Sequence, residues 1–209
     1  MKSVYRFFLK LALGLHTFLY KVISVLAIKS EDGTHPKHRL MQYHRFFIDH
    51  IKPTDRVLDI GCGNGELAFD VSKHAASVTA VDIDPEKIAV ATKKYVNPKV
   101  TYRIADATKD LGGEKFDVII LSNVLEHIEH RVSFLKQIRP IAVTFLIRVP
   151  MIDRDWIPLY KKDLGLEYRL DMTHFTEFTR VQFESETKEA GFTISEFSVQ
   201  FGEIWAVLV

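Results

Sequence analysis

The sequence contains a single cysteine and no marked excess of either charge. Cys62 alone excludes an internal disulfide framework and any zinc site built from several cysteines. Lys and Arg number 28 against 27 Asp and Glu. Duplex-binding proteins carry a clear excess of base, because neutralised phosphates supply much of their affinity. With only 10 glycines and 7 prolines in 209 residues, the chain is also neither collagenous nor of low complexity. These absences disfavour nucleic acid as a partner and indicate an ordinary globular protein, whose 47% hydrophobic residues suffice for a core.

Residues 3–28 are predicted to form one amphipathic helix. Its apolar stripe recurs at spacings of three and four, through Val4, Phe8, Leu11, Leu15, Phe18, Val22 and Val25. Four basic residues interrupt the segment, namely Arg6, Lys10, His16 and Lys21. The longest uncharged stretch is therefore shorter than the roughly 20 apolar residues that a bilayer span needs. Two interpretations remain: an accessory helix that packs on the following domain or in a homodimer, and a basic helix lying on an anionic membrane surface.

The rest of the chain divides into a second helix and a regular α/β pattern. Residues 30–34 predict a turn, and residues 36–51 predict a helix with Pro36 at its first position. We therefore expect residues 1–52 to be a helical extension and residues 53–209 to be one domain. From residue 56 onward short apolar strands alternate with helices, which is typical of a parallel sheet covered on both faces.

Three glycines at alternate positions follow the first predicted strand. Gly61, Gly63 and Gly65 permit positive φ in a tight turn and close approach of a ligand to the backbone. The helix that follows offers unpaired N–H donors. A dinucleotide-binding turn would have glycine at the next position, where this chain has Glu66. Asp59, just before the turn, adds a negative charge that suits a cationic ligand.

Acidic residues also follow the next two predicted strands. Asp82, about 20 residues after the glycine turn, can accept hydrogen bonds from both hydroxyls of a ribose. Ile83 offers an apolar wall for an adenine, and Asp106 can accept from the adenine amine. Asp106 could instead form a turn, and Asp84 is expected to cap a helix.

From about residue 54 to its end, the chain resembles the class I S-adenosylmethionine-dependent methyltransferases. Within them it is most similar to the small-molecule group that includes the ubiquinone-biosynthesis type. The resemblance rests on residues 59–65, 81–83, 105–107, 116–127 and 171–192. It implies an α/β, Rossmann-like fold with a seven-stranded, mostly parallel sheet of order 3-2-1-4-5-7-6 and helices on both faces. The N-terminal helical extension matches none of the motifs.

The resemblance also implies roles for individual residues in binding S-adenosylmethionine. The glycine turn would face the methionine part, with Asp59 holding its amino group and Asp82 holding the ribose. Asp106 would contact the adenine, and Asn123 would lie beside the sulfonium. The predicted cofactor-binding set is Asp59, Gly61, Cys62, Gly63, Asn64, Gly65, Asp82, Ile83, Asp106, Ala107 and Asn123.

His127 and His174 are the candidate general bases, although each could also be a structural histidine. The segment 126–130 (Glu-His-Ile-Glu-His) suggests a metal site. Metal-binding relatives, however, carry a further upstream glutamate where this chain has Ser122 and Asn123. No metal is therefore predicted.

The sequence thus predicts a cytoplasmic methyltransferase, with a membrane contact through residues 3–28 left open. Its expected acceptor is a small or lipid-like molecule, methylated on oxygen rather than on carbon or nitrogen. Two alternatives remain. A nicotinamide-dependent oxidoreductase is disfavoured by Glu66, and a non-catalytic nucleoside-binding scaffold is disfavoured by the intact glycine turn and Asp82.

Overall fold

The computed structural model describes residues 1–31, 35–109 and 111–209. Its contacts divide the chain into two compact units, residues 1–43 and 44–209. This division lies earlier than the predicted boundary after residue 52. The residues just after Tyr43 already pack on the sheet domain and so belong to the second unit. The ring of Phe46 packs edge-on against Trp205 at 5.4 Å, and His44 Nδ1 lies 2.7 Å from Asp70 Oδ2. Residues 32–34 of the predicted turn are outside the described residues.

The first unit is dominated by one long helix, α1 (Lys2–Ser30), of 29 residues. By length and composition this helix is able to cross a membrane, with a mean hydropathy of 1.8 over an 18-residue stretch. The basic residues interrupt the apolar sequence, but they are spaced widely enough for an 18-residue stretch to remain strongly apolar on average. A signal sequence passes the same test, so the composition alone does not assign a role.

The predicted helix over residues 36–51 is interrupted. It consists of α2 (Lys37–Met41) and α3 (Tyr43–Asp49). Between them Gln42 adopts a left-handed conformation, with φ 46° and ψ 38°. A left-handed residue breaks the run of helical dihedrals, and the periodicity of apolar residues does not reveal it.

The second unit is a seven-stranded sheet of order β3-β2-β1-β4-β5-β7-β6, which confirms the predicted topology. Strands β1 to β5 are parallel, and β7 lies antiparallel between β5 and β6. The strands are β1 (Arg56–Ile60), β2 (Ser77–Asp82), β3 (Val100–Ile104), β4 (Val118–Ser122), β5 (Thr144–Pro150), β6 (Ile194–Gln200) and β7 (Glu203–Leu208). The helices of this unit after α3 are α4 (Glu66–Ser72), α5 (Pro85–Lys94), α6 (Arg131–Ile138), α7 (Trp156–Asp163) and α8 (Arg180–Glu189).

The central strands are covered on both faces. Val57, Leu58, Asp59 and Ile60 of β1 point alternately to opposite sides of the sheet, yet all four are buried. Because β1, β2, β4 and β5 are parallel neighbours, their carboxyl ends lie along one edge of the sheet. Open α/β sheets bind ligands at this edge. The loops after these strands therefore define the candidate site.

Candidate active site

The glycine turn after β1 is tied to the end of β2 by backbone hydrogen bonds. The amides of Gly61 and Cys62 both donate to the carbonyl of Val81, at 2.8 and 3.0 Å. All three glycines have positive φ, of 71°, 56° and 87°. L side chains rarely adopt these values, so the conformation favours glycine at each position.

The three glycines differ in what surrounds them. A Cβ at Gly61 would lie 2.7 Å from Val124 Cγ2, and one at Gly65 would lie 2.8 Å from the Cβ of Ala91. At Gly63 a Cβ would meet no atom of the described chain within 4 Å. Neighbouring side chains therefore leave no room for a Cβ at Gly61 and Gly65. Gly63 instead borders open space, where a ligand can approach the backbone. Asn64, between them, is exposed.

Asp82 joins this turn to the loop after β2. Its side chain is buried, and Oδ2 accepts from the amide of Gly63 at 2.8 Å while Oδ1 accepts from the amide of Asp84 at 2.9 Å. Each carboxylate oxygen retains a second lone pair, so the group can still accept from ribose hydroxyls. The neighbouring Ile83 is 66% exposed, as expected of an apolar wall that a ligand would cover.

Asp59 is a buried carboxyl whose Oδ2 has no hydrogen-bond partner among the described residues. Burial, and then the charge of Asp82, raises the pKa of Asp59 to about 8. An unpartnered buried carboxylate is costly, and a cation would offset that cost. The site therefore fits the amino group that the resemblance assigns to Asp59. Burial also raises the pKa of the Cys62 thiol, which argues against a nucleophilic role.

Asp106 forms a turn in this structure. Its Oδ1 accepts from the hydroxyl and the amide of Thr108, at 2.6 and 3.1 Å, and its Oδ2 lies 3.0 Å from Lys109 Nζ. The pKa of Asp106 is lowered, and the hydrogen bond from the Thr108 side chain is the largest cause. An adenine contact would compete with these partners and stays a prediction. Ala107 packs against the hydrophobic core. Asp84 caps α5 through the amides of Glu86 and Lys87, as expected.

Asn123 follows β4 with a φ of 57° and is held by Arg148 of the neighbouring strand. Its amide donates to the Arg148 carbonyl at 2.8 Å, and its Oδ1 accepts from Arg148 Nε at 2.6 Å. The buried guanidinium also lies 3.3 Å from a carboxylate oxygen of Glu203. Sequence reasoning missed Arg148, and the available signal was an arginine inside the otherwise apolar strand β5.

The two candidate histidines lie side by side, with ring centroids 4.7 Å apart at an interplanar angle of 79°. His174 is buried, and its Nδ1 lies 3.3 Å from Glu177, which also pairs with Arg154. His127 is exposed, with Nδ1 3.0 Å from the Thr173 hydroxyl. Partial burial, followed by His174, lowers the pKa of His127, so its imidazole is neutral at pH 7.

Glu126 is a further residue that sequence reasoning left out of the site. Its side chain is fully buried, and neither carboxylate oxygen meets hydrogen-bond geometry with a described residue. Burial is the main cause that raises the pKa of Glu126 to about 7. Ligand atoms of Glu126, His127 and His174 all lie within 4.8 Å of one another, close enough to hold one cation. This group differs from the 126–130 segment considered above, and the absence of a metal stays a prediction.

Residues 34–196 match a family model described as a methyltransferase domain. The match covers most of the chain, including the glycine turn, Asp82 and both histidines. The chain therefore belongs to this family, the class I S-adenosylmethionine-dependent methyltransferases. This membership argues against the nicotinamide-dependent oxidoreductase considered above.

A curated relative is a ubiquinone biosynthesis O-methyltransferase of Xanthomonas campestris pv. campestris, 29% identical over 123 residues. The aligned segment is 54% of this chain and 51% of the relative, so the chain spans about half the length of the curated relatives it matches.

Two solved structures share the fold. A magnesium protoporphyrin IX methyltransferase from Synechocystis has a TM-score of 0.65 at 19% identity, over 80% of this chain and 82% of its own. A small RNA methyltransferase has a TM-score of 0.66 at 20% identity, over 80% of this chain and 25% of its own. Since these two proteins are named for very different acceptors, the fold does not identify the acceptor.

Proposed function

We propose that this protein transfers the methyl group of S-adenosylmethionine to a hydroxyl oxygen of a small or lipid-like acceptor. The choice of oxygen rests on the exposure and lowered pKa of His127. This histidine follows Asn123 by four residues, after strand β4 at the candidate ligand-binding edge of the sheet. The curated O-methyltransferase relative supports the same acceptor atom.

The protein's contribution begins with binding and orientation of the cofactor. Asp59 would hold the amino group, the amide-rich turn at Gly63 would border the methionine part, and Asp82 would accept from the ribose. When bound, S-adenosylmethionine supplies a methyl group on a positively charged sulfur. Alignment of an acceptor with that methyl group then provides much of the rate enhancement, because methyl transfer is an in-line displacement.

A hydroxyl acceptor must also lose its proton, and His127 would accept it. Because the pKa of His127 lies below its usual value near 6.5, the imidazole is unprotonated at neutral pH. The buried ring of His174 packs against His127 and restricts its orientation. An amine acceptor in its free-base form would need no such base. The neutral imidazole therefore favours oxygen over nitrogen.

The acceptor can be found by incubating the protein and labelled S-adenosylmethionine with metabolite and lipid extracts. Alkaline hydrolysis of the labelled product separates methyl esters, which release methanol, from methyl ethers and N-methyl groups. Label in a methyl ether supports the proposal, whereas label in a methyl ester contradicts it, because a carboxylate acceptor is already ionised and needs no base. Label on nitrogen or carbon, or cofactor binding without transfer to any extract, contradicts it, and the second result favours the non-catalytic scaffold.

His127→Gln tests the proposed base directly. We expect kcat to fall roughly 100-fold or more, since general base catalysis contributes about 10²- to 10⁴-fold. S-adenosylhomocysteine affinity should stay within about twofold, because the change removes a proton acceptor rather than a cofactor contact. The matched control is His130→Gln, an exposed histidine of the same segment, which should retain activity. Equal losses of turnover and of cofactor affinity in His127→Gln would instead assign His127 a structural role.

A further inference from the structure

Helix α1 exposes an apolar surface along almost its whole length. Within this helix, which is described in full, Leu13 is the one buried residue. Ten of its apolar side chains are between 46% and 67% exposed, namely Val4, Phe7, Phe8, Leu11, Leu15, Phe18, Leu19, Ile23, Val25 and Leu26. Contiguous apolar surfaces of this kind mark sites that bind a membrane or another protein.

The charged residues of α1 are all basic, and four of the five share one side, namely Lys2, Arg6, Lys10 and Lys21. The segment Lys2–Ser30 contains no Asp or Glu. At about 100° per residue, this side lies opposite Leu11 and Leu15 and also carries Ser3, Thr17 and Ser24. The fifth, Lys29, lies in the last turn on the side of Leu11. One side of the helix is therefore mainly apolar, and the other carries most of its basic residues.

The chain that follows α1 contacts the polar side. His35 Nε2 and Ser24 Oγ share a hydrogen bond of 3.1 Å. Ser24 lies on the same side as Arg6 and Lys10, so this contact leaves the stripe through Leu11, Leu15 and Phe18 uncovered within the first unit. The apolar stripe is thus available to an external partner.

The arrangement fits a helix in the plane of a bilayer surface better than a helix across it. In the most apolar stretch, residues 11–28, Lys21 lies near the middle. A spanning orientation would bury this ammonium in hydrocarbon, which is costly. An orientation parallel to the surface places the cationic side at the headgroups and the apolar side among the acyl chains. The lack of acidic residues favours anionic lipid over a second copy of this basic helix.

We propose that α1 binds the surface of an anionic bilayer, lying parallel to it with its Leu11, Leu15 and Phe18 face inserted. The cationic residues Lys10 and Lys21 contact the anionic headgroups. The proposal depends on the first unit alone and is independent of the acceptor proposed above.

Co-sedimentation of the full chain with vesicles tests this proposal. We expect binding to mixed phosphatidylglycerol–phosphatidylcholine vesicles and at least about tenfold weaker binding to phosphatidylcholine alone. High salt should release the bound protein, because exposed charges are screened. Binding of equal strength to neutral vesicles, with retention after alkaline extraction, would indicate a spanning helix and overturn the proposal.

Two variants separate the contributions of the two sides. Lys10→Glu with Lys21→Glu should reduce affinity for anionic vesicles at least about tenfold, since each lysine near such a surface contributes measurably. The matched control is Lys52→Glu with Lys93→Glu, which makes the same charge change at exposed positions outside α1 and should bind normally. Leu11→Ser with Leu15→Ser should abolish binding to both vesicle types while circular dichroism shows the folded second unit. Unchanged vesicle binding of this variant, or its conversion from dimer to monomer with no lipid binding by the native chain, would overturn the proposal.

Discussion

The glycine turn with Asp59 and Asp82, proposed as the cofactor half of the site, is built differently from the cluster of Glu126, His127 and His174, proposed as its acceptor half. Among the described residues, Asp59 Oδ2 and both carboxylate oxygens of Glu126 are buried and meet no hydrogen-bond geometry. Asp59 lies in a segment where the glycine turn and the end of β2 are joined mainly by backbone hydrogen bonds. Glu126 lies where side chains from three separate segments meet, including Arg148 and His174. A site formed by backbone groups of a tight turn tolerates few substitutions, so it leaves a recognisable local motif. A site formed by side chains from distant segments can change its residues when the acceptor changes. The difference explains why the cofactor is identified more readily than the acceptor.

The largest effect that would sharpen this comparison is expected for Asp82→Ala in the cofactor half. Affinity for S-adenosylhomocysteine should fall on the order of 100-fold, because hydrogen bonds to a charged acceptor are worth about 1.5–3 kcal/mol each. Calorimetry measures this loss. The control Asp84→Ala removes the cap of α5, which should cost about 1 kcal/mol of stability and leave affinity nearly intact. Unchanged affinity in Asp82→Ala would break the assignment of this half to the cofactor.

An effect that is smaller per pH unit, and that acts on stability, is expected from the raised pKa of Asp59. The folded state holds the Asp59 proton up to about pH 8, whereas the unfolded chain releases it near pH 4. Between these values the unfolded state binds fewer protons, so stability should fall as pH rises, by on the order of 1 kcal/mol per pH unit. Thermal denaturation of the ligand-free protein from pH 5 to 8 should show a steeper decline in Tm for the native chain than for Asp59→Asn. Parallel curves for the two proteins would contradict the raised pKa.

The smallest effect is expected in the acceptor half, on treatment with a chelator. If His127 acts as the base, dialysis against EDTA should leave turnover unchanged within about twofold. A loss of activity that a divalent cation restores would show that Glu126, His127 and His174 act together as ligands. That outcome would replace the proposed role of His127 and would make the acceptor half a metal site.

The positions of the glycine turn, Asp59 and Asp82 were predictable from the sequence because their signals are local. These residues lie close to strand ends that the apolar pattern reveals. The strand order was implied by the family resemblance alone, and the structure confirms it. The interruption at Gln42 was not predictable, because its left-handed conformation leaves the helical spacing of apolar residues intact. The sequence also did not show that His127 is exposed and His174 is buried.

The sequence by itself therefore determined the class of fold, the glycine turn and the acidic residues that are proposed to bind the cofactor, since each depends on neighbours in the chain. Only the tertiary structure decided which side chains share the other half of the site. Arg148 reaches Asn123 because β4 and β5 pair in a register that opposes Ser122 to Arg148. His174 reaches His127 because the segment after β5 returns to the same edge, where the amide of Phe175 donates to the carbonyl of Glu126 at 2.8 Å. Such contacts arise from pairing and packing over long separations, which no local pattern of residues encodes.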